Sequence, residues 1–344
     1  MPARYNPASL VKGPAQLAPE LWRRFAMVFL GVFFGGLGSI YACLVLVDPY
    51  DTGRLLTLLP PGVFDGGQRT ANASRGRDPQ FNAAVFGNSR GQMLDPVKLS
   101  ELTGLSFVQL TTPGSGPKEH ITMMRYFMRH HPGMQAIVLT VDERWCGHDP
   151  SLPIIFPFPF WLYRGDVEYL AHLLSTRAVA SARNRIQLAM GVVPPTDPRG
   201  YTDYEIGRIR NFHPGVAAAA DEQVSAVPAN NYFPAQEELD SVLAELPTSA
   251  RIVILMPPVY RQLLLRLDAQ IVADLPACKA ALMRRLLGRS RSGFLDYMVD
   301  GPIGRDPDNF MDEQHYRTNI ARLIEARTAG VLTGGSDEGI PADR

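Results

Sequence analysis

The sequence predicts an α/β fold, a three-layer arrangement with a parallel sheet covered on both faces, preceded by one N-terminal transmembrane helix. Three observations predict it: short apolar runs that end in Gly, Pro or Asn turns, helical stripes between those runs, and one long charge-free stretch near the N-terminus. A chain of 344 residues, 46% hydrophobic and 20% charged, can bury a full core. Its 34 Lys and Arg balance 34 Asp and Glu, so no global field draws it to nucleic acid or to an anionic membrane face.

The charge-free stretch runs from Phe25 to Val47, 23 residues of which thirteen are Leu, Ile, Val or Phe. As a helix it is about 35 Å long, more than the roughly 30 Å of bilayer hydrocarbon. Arg23 and Arg24 precede it, Asp48 and Asp51 follow it, and Trp22 and Tyr50 stand where interfacial aromatics belong. The positive-inside rule puts residues 1–24 in the cytoplasm and the rest outside, giving a single-pass protein of the cytoplasmic (inner) membrane with a periplasmic or extracellular C-terminal domain. A cleaved signal peptide, or a lipoprotein signal ending at Cys43, fits less well, because Leu44 to Val47 continue the apolar run past any cut.

Residues 48–80, rich in Pro, Gly, Asn and Ser, read as an irregular linker. Ala83 to Phe86 is the first expected strand and ends at Gly87-Asn88-Ser89. Leu105 to Leu110 is the second, ending at Pro113-Gly114-Ser115-Gly116. A helix follows from Pro117 to His131, with Ile121, Met124 and Met128 on one face, and Ala136 to Val141 is the third strand. Residues of about 146–230 break the rhythm and read as an insertion at the carboxyl edge of the sheet. They include the aromatic run Phe156 to Trp161 and a helical stretch over Val167 to Met190. Leu239, Val242, Leu243 and Leu246 make a helical stripe before the strand Arg251 to Met256, and helical sequence from Leu263 to Leu287 is broken by Pro276. Phe294 to Met298 is the last expected strand, and residues 331–344 are expected to be a disordered tail.

Three cysteines, Cys43, Cys146 and Cys278, are too few for a disulfide-stapled scaffold and lack the close pairing of a zinc site, so neither a metal nor another cofactor is expected. Only Cys146 and Cys278 can pair in an oxidising compartment, and buried cysteines often stay free.

Two motifs carry chemistry. Gly87-Asn88-Ser89 sets a serine on a sharp turn directly after a strand. Asp312 and His315, three residues apart, face the same side if they lie on one helical turn, so the carboxylate can orient the imidazole toward a nucleophile. Asp312 can also cap a helix over Glu313 to about Ala329, which is compatible with catalysis.

With these blocks in this order, residues 80–330 resemble the SGNH (GDSL-like) hydrolase superfamily. Phe310-Met311-Asp312 followed by His315-Tyr316 resembles its membrane-anchored members involved in acyl transfer to cell-surface polymers. The resemblance implies a flavodoxin-like (SGNH-like) domain over 81–330 and a catalytic triad of Ser89, Asp312 and His315. It also implies an oxyanion hole from Ser89 and Gly114. Where the family offers an asparagine after the third strand this chain has Asp142, so either Asn88 or Arg144 supplies that donor or the hole is incomplete, and Asp142 and Arg144 are candidates for the cleft. Tyr260, after Pro257-Pro258, is a candidate for the cleft. The implied function is a serine esterase or O-acyltransferase acting on an acylated, O-acetylated glycan of the cell envelope or a secreted glycan. The alternative is a noncatalytic envelope-assembly scaffold working with a membrane-bound acyltransferase partner.

Overall fold

The computed structural model describes residues 19–54, 58–62, 67–149, 156–206, 212–213 and 227–334. Helix α1 (Pro19–Val47) contains the whole charge-free stretch and is long and apolar enough to cross a membrane. Helix α2 (Gln68–Arg75) follows, and then strand β1 (Ala83–Gly87), α3 (Pro96–Thr103), β2 (Phe107–Thr111), α4 (Pro117–His130) and β3 (Ala136–Thr140). The insertion supplies α5 (Phe160–Tyr163), α6 (Asp166–His172) and α7 (Thr176–Ala189). The chain continues with α8 (Pro234–Glu245), β4 (Arg251–Met256), α9 (Arg261–Leu264), α10 (Ala269–Arg284), β5 (Gly293–Asp296), α11 (Pro302–Arg305) and α12 (Thr318–Thr333).

All five strands are parallel, in the order β2-β1-β3-β4-β5. The chain turns from β2 back across β1 to β3, so the carboxyl ends of β1 and β3 flank the point where the winding reverses, and a crevice opens there. β1, β2 and β3 are buried along their whole length, as expected of strands with helices on both faces. On one face Leu99 of α3 and Ile320 and Ile324 of α12 cover Val85, Val138 and Val253. On the other, Ile121, Met124, Leu239 and Leu282 cover Phe86, Leu139 and Ile254.

Several local expectations change. The break expected at Pro276 lies instead at 265–268. Asp268 restarts the helix by accepting the Gln270 N–H at 2.8 Å, and Pro276 sits inside α10. The last strand is Gly293–Asp296. Within 48–80, α2 is folded onto the domain, its Asn72 donating to the Thr111 carbonyl at 3.0 Å. α12 extends to Thr333 and closes with Gly334 at φ 75°, whereas 335–344, like 1–18, lie outside the described residues.

Two cross-links tie distant segments together. Cys146, just past β3, is disulfide-bonded to Cys278 in α10, while Cys43 is free and exposed in α1. At the end of α1, Asp48 and Asp51 are buried with Arg185 of α7, whose Nη2 reaches Asp51 Oδ1 at 2.8 Å. Thr52 and Gly53 donate to Asp48, Ser74 and Gly62 donate to Asp51, and Arg77 pairs with Asp51. Buried carboxylates are tolerated when donors surround them, and Asp48 and Asp51 each accept from several groups here.

Candidate active site

The site is built from the carboxyl end of β1 outward. Gly87 ends the strand at φ 144°, and a Cβ there would meet Thr140 Oγ1 at 1.7 Å, so only glycine lets β1 turn this close to β3. Asn88 then accepts the Arg90 N–H at 3.0 Å through its side-chain oxygen and closes a 3-10 turn over Ser89–Gly91. The turn is pinned from below by the buried Arg90, whose guanidinium makes a two-pronged ion pair with Glu143 at 2.6 and 3.1 Å. Ser89 is left facing the crevice.

Ser89 donates to His315 Nε2 at 2.8 Å across 226 residues of sequence, and His315 Nδ1 lies 2.8 Å from both oxygens of Asp312. The carboxylate holds the ring proton on Nδ1 and leaves Nε2 as the acceptor facing the serine. Burial works to raise the Asp312 pKa. The hydrogen bonds from the His315 ring and from the Gln314 and His315 backbone outweigh it and hold the carboxyl below its ordinary value.

The geometry of this block differs from the expected helical turn. Asp312 Oδ1 already takes the N–H groups of Gln314 and His315, and Met311 donates to the His315 carbonyl at 2.8 Å. A bridge between buried Phe310 and Tyr316 folds the segment into a tight loop. α12 therefore starts at Thr318 instead of Glu313, and it is Glu205 from the insertion that accepts the Thr318 N–H and hydroxyl at 2.9 and 2.6 Å.

A cavity of about 280 Å³ opens beside the serine, lined by Ser89, Gln92, Met93, Pro113, Gly114, Phe156, Tyr204, Met311 and His315. Gly114 adopts φ 63° in the loop after β2. The loop is anchored by Ser115, which donates to the Thr112 carbonyl at 2.6 Å and meets His120 Nε2 at 2.8 Å. Burial, together with Arg144, lowers the His120 pKa to about 3, so this imidazole is neutral. Among the described residues, neither the Ser89 N–H nor the Gly114 N–H donates to another protein group, which leaves both available to a ligand.

The other sequence candidates have different positions. Asp142 is buried beside the Ser89–Gly91 turn, accepting the Asn88 amide at 2.6 Å and the Arg144 N–H at 3.1 Å. Burial, helped by neighbouring Glu143, pushes its carboxyl up to about 6 against the pull of Arg90 and Arg144. The Asn88 amide thus points at Asp142, and Arg144 donates to the Ser115 carbonyl at 3.1 Å, tying the loop after β3 to the loop after β2. Tyr260 lies behind the triad loop rather than among the cavity-lining residues. Its N–H donates to the Glu313 carbonyl at 2.9 Å and its ring meets Phe310 edge-on.

Gln92, Met93, Tyr204 and Met311 are further lining residues of the cavity. Gln92 and Met93 follow Ser89 within one turn, a local signal for the cavity. Tyr204 arrives from the insertion, where its hydroxyl accepts from Gln68 across 136 residues, and no local pattern marks it. No group of three or more His, Cys, Asp or Glu side chains that could hold a metal is found among the described residues. Comparison of the chain with protein-family models and with curated proteins finds no match, so the functional reading rests on the geometry of this site.

Proposed function

We propose that the chain is a membrane-anchored, SGNH-like serine esterase or O-acyltransferase. The observation that carries the reading is the continuous hydrogen-bonded chain Ser89, His315, Asp312, with both steps at 2.8 Å. The strand order supports it, since β2-β1-β3-β4-β5 is the order of flavodoxin-like sheets and the serine stands at the switch point.

In this mechanism His315 Nε2 takes the Ser89 hydroxyl proton as Oγ attacks an ester carbonyl. The tetrahedral oxyanion accepts from the Ser89 and Gly114 N–H groups. Collapse expels the alcohol, which takes the proton back from His315, and leaves an acyl–Ser89 ester. Water or a glycan hydroxyl then attacks that ester with His315 again removing the proton, and the acyl–Oγ bond breaks as Ser89 takes that proton back, releasing the acid or the acylated glycan. A cavity of about 280 Å³ walled by Met93, Met311, Pro113 and Phe156 suits a short acyl group such as acetyl, with Gln92 and Tyr204 available to hydroxyls of the acceptor. The Cys146–Cys278 disulfide and the Arg23-Arg24 flank support a domain outside the cytoplasm, where the acyl donor and glycan would be met.

Covalent labelling with a fluorophosphonate tests the reading. The full-length chain should label and the Ser89→Ala variant should not. A folded wild type that stays unlabelled would favour the noncatalytic scaffold.

A further inference from the structure

The insertion does more than wall the cavity. α6 and α7 form a hairpin packed against the last turns of α1, and its position can be read from contacts along both arms. At the start of α6, Asp166 pairs with Arg54 at 2.6 Å, beyond the end of α1. Near the end of α6, the Leu170 carbonyl accepts from the Tyr41 hydroxyl at 3.2 Å, inside the charge-free stretch. On α7, Ala178 and Ala182 share a buried cluster with Leu44 and Val47, and Arg185 is back at the level of Asp51. The hairpin therefore descends along α1, turns near the level of Tyr41 and climbs again.

Tyr41 precedes Val47 by six residues, about 9 Å along a helix axis. The exposed part of α1 from Phe25 to Cys43 is about 28 Å long, close to the hydrocarbon thickness, so a bilayer around it ends near the turn of the hairpin. The side chains there suit that position. Leu174 and Val179 are each 49% exposed, Ala171 is exposed, and the Trp161 and His172 rings stack at 4.8 Å. Arg177 and Arg183 are exposed, and α7 contains no acidic residue. Apolar tips, a stacked aromatic and snorkelling arginines are the chemistry of an anionic lipid interface.

We infer that the α6–α7 hairpin docks into the bilayer interface beside α1, with Leu174 and Val179 in the headgroup and acyl boundary and Arg177 and Arg183 on anionic headgroups. The inference rests on α1 spanning the membrane.

The test uses the full-length chain with Cys43→Ser in nanodiscs containing phosphatidylglycerol, spin-labelled at Leu174→Cys, Leu30→Cys or Met283→Cys. Val179→Cys reports the same face should the Leu174 variant misfold. Labels at Leu30 and Leu174 are expected to collide preferentially with oxygen, and the label at Met283, on remote α10, with a water-soluble nickel chelate. The oxygen preference at Leu174 should fall severalfold in Arg177→Glu/Arg183→Glu. A Leu174 label that behaves like Met283 while Leu30 is in lipid overturns the hairpin docking and leaves the span intact. Aqueous behaviour at Leu30 as well overturns both. An oxygen preference at Leu174 unchanged by the double charge reversal overturns the role of anionic headgroups.

Discussion

At the scale of the residue, Asn88 and Asp142 are the informative pair. An amide stands directly before the serine and a carboxylate after the third strand, and the hydrogen bond between them, 2.6 Å, runs from Asn88 to Asp142. A raised carboxyl pKa means that the folded protein binds a proton more tightly than the unfolded chain. Stability attached to Asp142 is thus present at low pH and is lost as pH rises from about 4 to about 6. Asp142→Asn should flatten the dependence of the urea midpoint on pH in that window. Above it, the ionised group is a buried negative charge beside the Ser89 turn, and in the proposed mechanism it opposes the oxyanion. Loss of one oxyanion donor costs on the order of 10² to 10³ in rate, so the wild type is expected to hydrolyse acetyl esters slowly. The asparagine variant should be faster near neutral pH, with the difference shrinking toward pH about 5, where Asp142 is largely protonated. Equal turnover across pH in the two proteins would remove Asp142 from the electrostatics of the site.

At the scale of the element, the disulfide is where stability and site meet. Cys146 closes the 3-10 turn that begins just after Asp142, and its partner Cys278 is 132 residues away, with both fully buried. Chain-entropy arguments for a closed loop of that size give about 5 kcal/mol, and removing a native disulfide typically costs about 2 to 5 kcal/mol. Cys146→Ser/Cys278→Ser should lower the unfolding free energy by that order in denaturant melts. An unchanged midpoint would show that the pair is not bonded in the folded protein. Sequence made the core strands legible because each is a continuous apolar run ending in a turn, and it made Ser89, Asp312 and His315 legible because their blocks are local. It gave the wrong conformation for Asp312 to His315, since helical spacing cannot reveal that the carboxylate consumes two backbone N–H groups of a tight loop. What stayed hidden depends on contacts between distant segments: Tyr204 on Gln68, Arg185 on Asp51, and Glu205 capping α12. A residue such as Arg185 looks like one more surface charge until the fold buries it at 1% exposure.

At the scale of the whole molecule, orientation decides which side of a membrane the crevice would face. A reporter fused after residue 344 that is active only outside the cytoplasm should light up, and activity of a cytoplasmic reporter at the same fusion would reverse the topology and remove the envelope substrate with it. The junction between α1 and the domain adds a mechanical consequence. Asp48, Asp51 and Arg185 are buried in a shared network directly after the helix, with no flexible stalk between the end of α1 and that network. If α1 spans a membrane, its exposed stretch from Phe25 to Cys43, about 28 Å long, matches a slab of ordinary thickness, and in a thinner one the helix leans to fit. With a stiff joint, that lean is transmitted: a thinner bilayer tips the domain, and the mouth of the crevice swings through the same angle. Bilayer thickness thereby becomes an aiming parameter, setting which direction the serine faces relative to the membrane plane.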